Sequence, residues 1–257
     1  SYSSGEGNPR NVNAWLKNRI SSFDPYWDED QCNRSVHGAP AQAALKLERS
    51  SKQTSVTLVD VSCSGATVAK GILGSQYRGL PTQIESVSEI VGDREIDAVV
   101  MTIGGNDVGF ATILTTCALQ ANCPLTKATS APLSSFPTIA AGVQDLTAGL
   151  ASSYAAINTC FTDSSCEGTQ GQKLPGLSLG KKGSVFLNSY PDLARSQTGE
   201  LCSYITITEE DFRWAQDSIL NPNPTNPFAY RTTRGATVPL SNSAGSLNGA
   251  VANTATL

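Results

Sequence analysis

Apolar residues along this chain recur at two spacings, one typical of helices and one typical of buried strands. From Ile139 to Ile157 the apolar positions follow gaps of four, three, four, four and three, which predicts a long amphipathic helix. Shorter helices are predicted from Pro40 to about Ser50 and from Pro81 to Val91. A proline is well placed in a first helical turn, because its missing N–H has no partner there in any case.

Three short runs are almost continuously apolar and rich in β-branched residues, so they predict strands. They are Val56–Val61, Ile96–Ile103 and Ser184–Asn188. Strands that are apolar on both faces and alternate with helices are typical of a parallel sheet covered on both sides. We therefore expect an α/β fold, and the absence of repeats and linkers predicts a single domain over residues 1–257.

The remaining segments carry weaker patterns. Residues 11–23 and residues 244–257 are helix candidates, the second weakened by two glycines. Residues 111–132 are predicted to be irregular, and the proline- and asparagine-rich residues 221–227 are predicted to form a loop.

Composition and charge exclude several classes of function. The 257 residues carry a net charge of −4 and no lysine or arginine run, which argues against nucleic acid or an anionic membrane surface as a partner. No apolar stretch approaches the roughly 18 residues of a transmembrane helix. With one histidine and no Cys-x2-Cys pair, the chain cannot build a Cys2His2 zinc site, and we predict no cofactor.

Seven cysteines indicate disulfides and an oxidising compartment, hence a secreted protein. Cys117 with Cys123 and Cys160 with Cys166 share a Cys-x5-Cys spacing that predicts two local bridges. Cys32 and Cys63 would make a longer bridge, and Cys202 would be left over. The alternative is a set of reduced, buried thiols in a cytosolic protein.

Two predicted strands end in turns that can carry chemistry. One is followed by Cys63-Ser64-Gly65-Ala66 and the other by Gly104-Gly105-Asn106-Asp107. Ligands of open α/β sheets bind at the carboxyl ends of strands. A backbone N–H of Gly65 and the carboxamide of Asn106 are donors that can stabilise an oxyanion, and Asp107 is interpreted as a structural residue of its turn.

These turns, with the amino-terminal segment, resemble the conserved blocks of the SGNH hydrolases, the GDSL family of lipases and esterases, in its secreted actinobacterial branch. Ser1-Tyr2-Ser3-Ser4-Gly5-Glu6-Gly7 is similar to the first block, Cys63-Ser64-Gly65-Ala66 to the second, and residues 104–110 to the third. Cys32-Asn33-Arg34-Ser35 and Tyr190-Pro191 also fit this branch. The resemblance runs along the whole chain in the family's order.

The resemblance implies a flavodoxin-like, three-layer parallel sheet and hydrolysis of carboxylic esters through an acyl-enzyme. Ser1 would be the nucleophile, and the N–H groups of Ser1 and Gly65 with the Asn106 side chain would form the oxyanion hole. It also implies a Cys32–Cys63 disulfide beside the site. We expect a monomer that acts on a small-molecule, lipid or carbohydrate ester.

The family's general base is a histidine in an Asp-x-x-His block near the C-terminus, and no such block occurs in these residues. The family also has a strand before the nucleophile. We therefore expect a fragment that lacks the first strand and the histidine block, with the base beyond Leu257 and little activity of its own.

Alternatives from the residues are open at this point. Ser3 or Ser4 could replace Ser1 as nucleophile, and His37, the one histidine, could act as a base if a Cys32–Cys63 bridge brought it near Gly65. The acidic residues 28–30 could bind calcium, although solvated surface suits their spacing better. The alternative functions are a non-catalytic SGNH-like binding module and a carbohydrate O-acetyl esterase.

Overall fold

The computed structural model describes residues 3–11, 24–76, 79–188, 190, 194, 198, 200–202, 207–215, 229–231 and 237–239. Apart from Asn11, the helices predicted at residues 11–23 and 244–257 lie outside the described residues, as does the loop predicted at 221–227. Ser1, the predicted nucleophile, also lies outside them.

The described chain contains both helices and strands. The helices are α1 (Ala39–Arg49), α2 (Gln83–Val91), α3 (Phe110–Leu119), α4 (Ile139–Thr162) and α5 (Glu209–Ala215). The strands are β1 (Ile96–Met101), β2 (Ser165–Glu167), β3 (Lys173–Pro175), β4 (Leu179–Leu187), β5 (Ala229–Arg231) and β6 (Thr237–Pro239). The predictions for α1, α2, α4, β1 and β4 are confirmed to within a few residues at most boundaries, β4 starting five residues early.

Local side-chain chemistry explains where these helices begin. Helix α1 has a proline in its first turn, as predicted. Helix α2 begins with a capping box, in which the Thr82 hydroxyl accepts the Glu85 N–H at 3.0 Å and the Glu85 carboxylate accepts the Thr82 N–H at 2.9 Å. Two donors that the helix itself leaves without partners are thereby satisfied.

The pairing of the strands confirms that the protein has an α/β fold. Strands β1 and β4 form a parallel two-stranded sheet, and β2 and β3 form an antiparallel hairpin with Cys166 opposite Leu174. Strands β5 and β6 form a second antiparallel pair, with Tyr230 opposite Val238.

The strand predicted at Val56–Val61 is wrong, because this segment has no regular secondary structure. Its β-branched composition favours an extended chain, yet a strand also needs a neighbour to complete its hydrogen bonds. Among the described residues none pairs with it, and Leu58 is left 45% exposed.

The prediction that residues 111–132 are irregular is also partly wrong, because the first part of this segment belongs to helix α3. Threonines make its composition look unsuited to a helix, but their hydroxyls bond carbonyls of the preceding turn. Thr115 Oγ1 donates to Ala111 O at 3.0 Å and Thr116 Oγ1 to Thr112 O at 2.8 Å. Short 3₁₀ turns follow at Cys123–Leu125 and Leu133–Ser135.

Three disulfides form, Cys32–Cys63, Cys117–Cys123 and Cys160–Cys166, which confirms the predicted pairing. Cys202 forms none with the described residues. No helix in the described part of the chain combines the length and the apolar character needed to cross a bilayer.

The residues group into two compact units. The first comprises Ser1–Thr102 and Ala156–Phe186, and the second comprises Ile103–Ala155 and Leu187–Leu257. In the first, Cys32, Cys63 and Ala66 form a buried cluster against Leu80. In the second, fully buried residues include Val108, Leu133, Ile139 and Leu150. The prediction of a single domain stays a prediction.

Candidate functional site

Ser3, Ser4 and Gly5 are buried, and this segment is bonded to the loop that carries Cys32. Ser4 is fully buried, and its carbonyl accepts the Ser35 N–H at 2.8 Å. Gly5 has a positive φ of 75°, and a Cβ there would lie 2.7 Å from the Gly38 Cα. Only glycine therefore fits this approach of two backbones.

Glu6 joins three separate segments of the first unit. Its carboxylate accepts hydrogen bonds from the Ser64 hydroxyl and, at 3.1 Å, from the Asn33 side chain. Its carbonyl accepts the Trp27 indole N–H at 3.3 Å. The segment of residues 3–7 is thus bonded directly to Ser64, which precedes Gly65.

The Gly65 turn is held from both sides. Ser64 N–H donates to Cys32 O at 3.0 Å, and Ala66 N–H donates to Cys63 O at 3.3 Å. Gly65 itself has a φ of 75°, while a Cβ there would meet open space. Among the residues that the structure describes, none accepts a hydrogen bond from the Gly65 N–H. This donor is therefore available to a ligand.

A cavity of about 520 Å³ lies next to Gly65 within the first unit. One wall is the chain from Ser64 to Gln76, and the other is the β2–β3 hairpin turn at Thr169 and Gln170. Its volume falls within the roughly 300–1,000 Å³ of small-molecule sites.

In the second unit, the turn that carries Asn106 is closed by backbone hydrogen bonds. Val108 N–H donates to Gly104 O, and Phe110 N–H donates to Gly105 O, both at 3.0 Å. The Gly105 N–H donates to the Tyr190 hydroxyl at 2.8 Å. A Cβ on Gly105 would lie 2.9 Å from the same ring, so Gly105 is required by the close approach of Tyr190.

Tyr154 supports the same turn from helix α4. It is 3% exposed, and its hydroxyl donates to Ile103 O at 3.0 Å. Burial raises the pKa of Tyr154 well above its ordinary value, and the charges of Tyr190 and Asp107 raise it further. Tyr154 is therefore a neutral hydrogen-bond donor across the physiological range.

This raised pKa predicts a loss of stability in alkali. Above the ordinary tyrosine pKa of 10.0 the unfolded chain releases the Tyr154 proton while the folded chain keeps it. The folded state then binds more protons, so stability falls as pH rises and is unaffected below that value. Urea unfolding measures how far the free energy of unfolding falls between about pH 9 and about pH 11. This fall should be about 1 kcal/mol smaller in Tyr154→Phe than in the parent protein. The exposed Tyr26→Phe is the control, and equal slopes for both variants would contradict the prediction.

Two of the predicted site residues belong to different compact units. Gly65 belongs to the first unit and Asn106 to the second, and Ser1 lies outside the described residues. Their convergence around one carbonyl oxygen stays a prediction. Ser3 and Ser4 are 9% and 0% exposed, which weighs against either as a nucleophile.

The other sequence candidates have structural partners. Asp28 binds Arg10 at 2.7 Å and accepts the Val36 N–H at 2.8 Å, so the acidic loop is held by the protein itself. Within the described ranges, no cluster of three metal-ligating side chains occurs. His37 is partly buried and bonds Ser35 Oγ and Asn8 Nδ2 through its main chain.

Sequence reasoning missed the roles of Glu6 and Tyr190. Both lie in motifs that the resemblance singles out, but their partners are 58 and 85 residues away along the chain. Comparison with known proteins adds no relative: no family model, curated protein or solved structure matches the chain.

Proposed function

We propose that this protein is a serine hydrolase of carboxylic esters with the flavodoxin-like, three-layer fold of the SGNH hydrolases. The parallel β1–β4 pair, with helices before, between and after its strands, is consistent with that fold. The residue-level resemblance of three blocks in the family's order provides the functional hypothesis.

The observation that carries the proposal is the Glu6 link. Its bond to Ser64 joins the block that begins at Ser1 to the turn of Gly65, whose N–H lacks an acceptor among the described residues. An available N–H beside a cavity, held close to the segment that follows a serine, is what acyl transfer through a tetrahedral intermediate requires.

In the proposed reaction, the Ser1 hydroxyl attacks the ester carbonyl and loses its proton to a histidine. The carbonyl oxygen gains the negative charge and accepts hydrogen bonds from Gly65 N–H, Ser1 N–H and the Asn106 carboxamide. The alcohol leaves with the proton, and water attacks the acyl-enzyme to release the acid and free Ser1.

We propose that His37 is not the general base, because the family's base belongs to an Asp-x-x-His block and His37 does not lie in one. His37→Ala in the complete protein should therefore change kcat by less than about threefold, because a group outside the reaction contributes little to the barrier. The measurement is kcat on p-nitrophenyl acetate. A loss of about a hundredfold or more, the usual contribution of a general base, would make His37 the base.

We also propose that the protein is a secreted monomer. Three disulfides support an oxidising compartment, since such bridges are rare where thiols are kept reduced.

The direct test of the function is covalent labelling of the complete protein by a p-nitrophenyl alkylphosphonate. The reagent should release p-nitrophenol and leave one phosphonyl group on Ser1, located by peptide mass spectrometry. Ser3→Ala is the matched control and should still be labelled. Absence of label together with absence of p-nitrophenyl acetate hydrolysis would overturn the proposal, and a label on another serine would move the nucleophile.

A further inference from the structure

The backbone just before Asn106 is bonded to two tyrosines from distant parts of the second unit. Tyr154, in α4, donates to the carbonyl of Ile103 at 3.0 Å, and the Tyr190 hydroxyl accepts the Gly105 N–H at 2.8 Å. Tyr190 lies 85 residues from Gly105 along the chain. The bond to Gly105 is therefore a tertiary contact that the local sequence of the turn cannot supply.

The backbone is fixed on both sides of Asn106. On the carboxyl side, the Asn106 carbonyl accepts the Gly109 N–H at 3.1 Å. On the amino side, Gly105 is held through both of its polar groups, because its carbonyl accepts the Phe110 N–H at 3.0 Å and its N–H donates to Tyr190. The position from which the Asn106 side chain extends therefore depends on the Tyr190 hydroxyl as well as on the turn's own hydrogen bonds.

The bond from Gly105 to Tyr190 is not easily replaced. Gly105 is buried, so its N–H would be left without an acceptor if the hydroxyl were removed. A buried donor without a partner costs free energy, and a turn can lower that cost by shifting toward another acceptor or toward water. Loss of one oxygen atom on Tyr190 is thus expected to displace the residue that follows Gly105.

The proposed reaction is sensitive to such a displacement. A donor stabilises an oxyanion when it lies about 2.7–3.1 Å from the position of that oxygen. A misplacement of about 1 Å, even when it is caused by a distant substitution, can cost up to about a hundredfold in rate.

We infer that Tyr190 is a positioning residue for ester hydrolysis: its hydroxyl holds the Gly105 N–H and thereby aims the Asn106 carboxamide at the oxyanion. The inference rests on the proposed function, in which Asn106 is an oxyanion donor. Tyr190 touches neither the substrate nor the reacting atoms and acts through Asn106 alone.

The test begins with Tyr190→Phe in the complete protein, which keeps the ring and removes the hydroxyl. The burst-phase acylation rate with p-nitrophenyl acetate should fall about tenfold, with less than about threefold change in KM. Gly105→Ala is the second variant, because its Cβ would lie 2.9 Å from the Tyr190 ring and push the turn away from the hydroxyl. Its acylation rate should fall as well. Tyr26→Phe, on an exposed tyrosine, is the control and should keep the parent rate.

A double-mutant cycle with Asn106→Ala separates positioning from a purely structural role. Once the carboxamide is absent, adding Tyr190→Phe should change the acylation rate by less than about twofold, because the group that it positions is gone. A structural role would instead lower the rate by the same factor in both backgrounds. Urea unfolding of all four proteins gives the conditions under which each is fully folded, and the rates are compared there.

The outcomes separate this inference from the esterase proposal. Hydrolysis and Ser1 labelling at the parent rate in Tyr190→Phe, an unchanged rate in Asn106→Ala, or an equal loss from Tyr190→Phe in both backgrounds would overturn the inference alone. If Tyr190→Phe does not fold, Gly105→Ala decides by the same two comparisons. Absence of both p-nitrophenyl acetate hydrolysis and Ser1 labelling in the parent protein would overturn both.

Discussion

Asn106→Ala in the complete protein should lower the acylation rate by about 10²–10³-fold, the usual effect of losing one oxyanion donor. In the proposed mechanism the carboxamide stabilises charge that exists only in the transition state, so kcat should fall while KM changes little. The Gly104–Phe110 turn is closed by backbone hydrogen bonds and by the Tyr190 hydroxyl. These bonds remain in the variant, so we expect it to fold.

The measurement is the burst-phase rate with p-nitrophenyl acetate, alongside urea unfolding of the same variant. Asn158→Ala, on the exposed face of α4, is the matched control and should retain the parent rate. An unchanged acylation rate in Asn106→Ala would remove Asn106 from the mechanism. A matching fall in stability and rate would instead identify a structural residue.

Removing the Cys32–Cys63 disulfide should destabilise the protein by about 3–4 kcal/mol. The bridge closes a separation of 31 residues, and the entropy of the unfolded chain that it removes grows with the logarithm of that length. Replacing both cysteines with serine restores that entropy. It also places two hydroxyls in a buried cluster, which adds to the loss.

The Cys160–Cys166 bridge provides the comparison, because it closes a separation of only six residues. Its double serine variant should lose about 2 kcal/mol from the same entropy relation. Urea unfolding under non-reducing conditions measures both differences. Equal losses in the two variants, or a larger loss at the short bridge, would show that loop length does not govern the effect here.

The Cys32–Cys63 variant also tests how the site is held. Ser64 N–H donates to Cys32 O, and Glu6 bonds both Ser64 and Asn33. Cutting the bridge leaves the Glu6 bonds in place, so we expect the folded variant to keep measurable esterase activity. The activity is compared at a temperature where both proteins are fully folded.

Elements with strong local signals were predictable from the sequence. The apolar spacing predicted α4, the proline predicted the start of α1, and the six-residue separations predicted two disulfides. Each signal depends on residues within a few turns of one another, where propensity, capping and chain closure act directly. The strand prediction at Val56–Val61 failed, because this segment has the composition of a strand but no neighbouring strand to pair with among the described residues.

The candidate site divides in the same way. Gly65 and Asn106 could be singled out from the sequence because each lies in a short, recognisable turn. The partners of Glu6 and Tyr190, and the cavity between the 64–76 loop and the hairpin turn, depend on contacts across long stretches of chain. Local sequence determines which conformations a segment prefers. Tertiary packing alone determines which distant donor, acceptor or glycine lies opposite it, because that choice is made by the combined burial and hydrogen bonding of many segments at once.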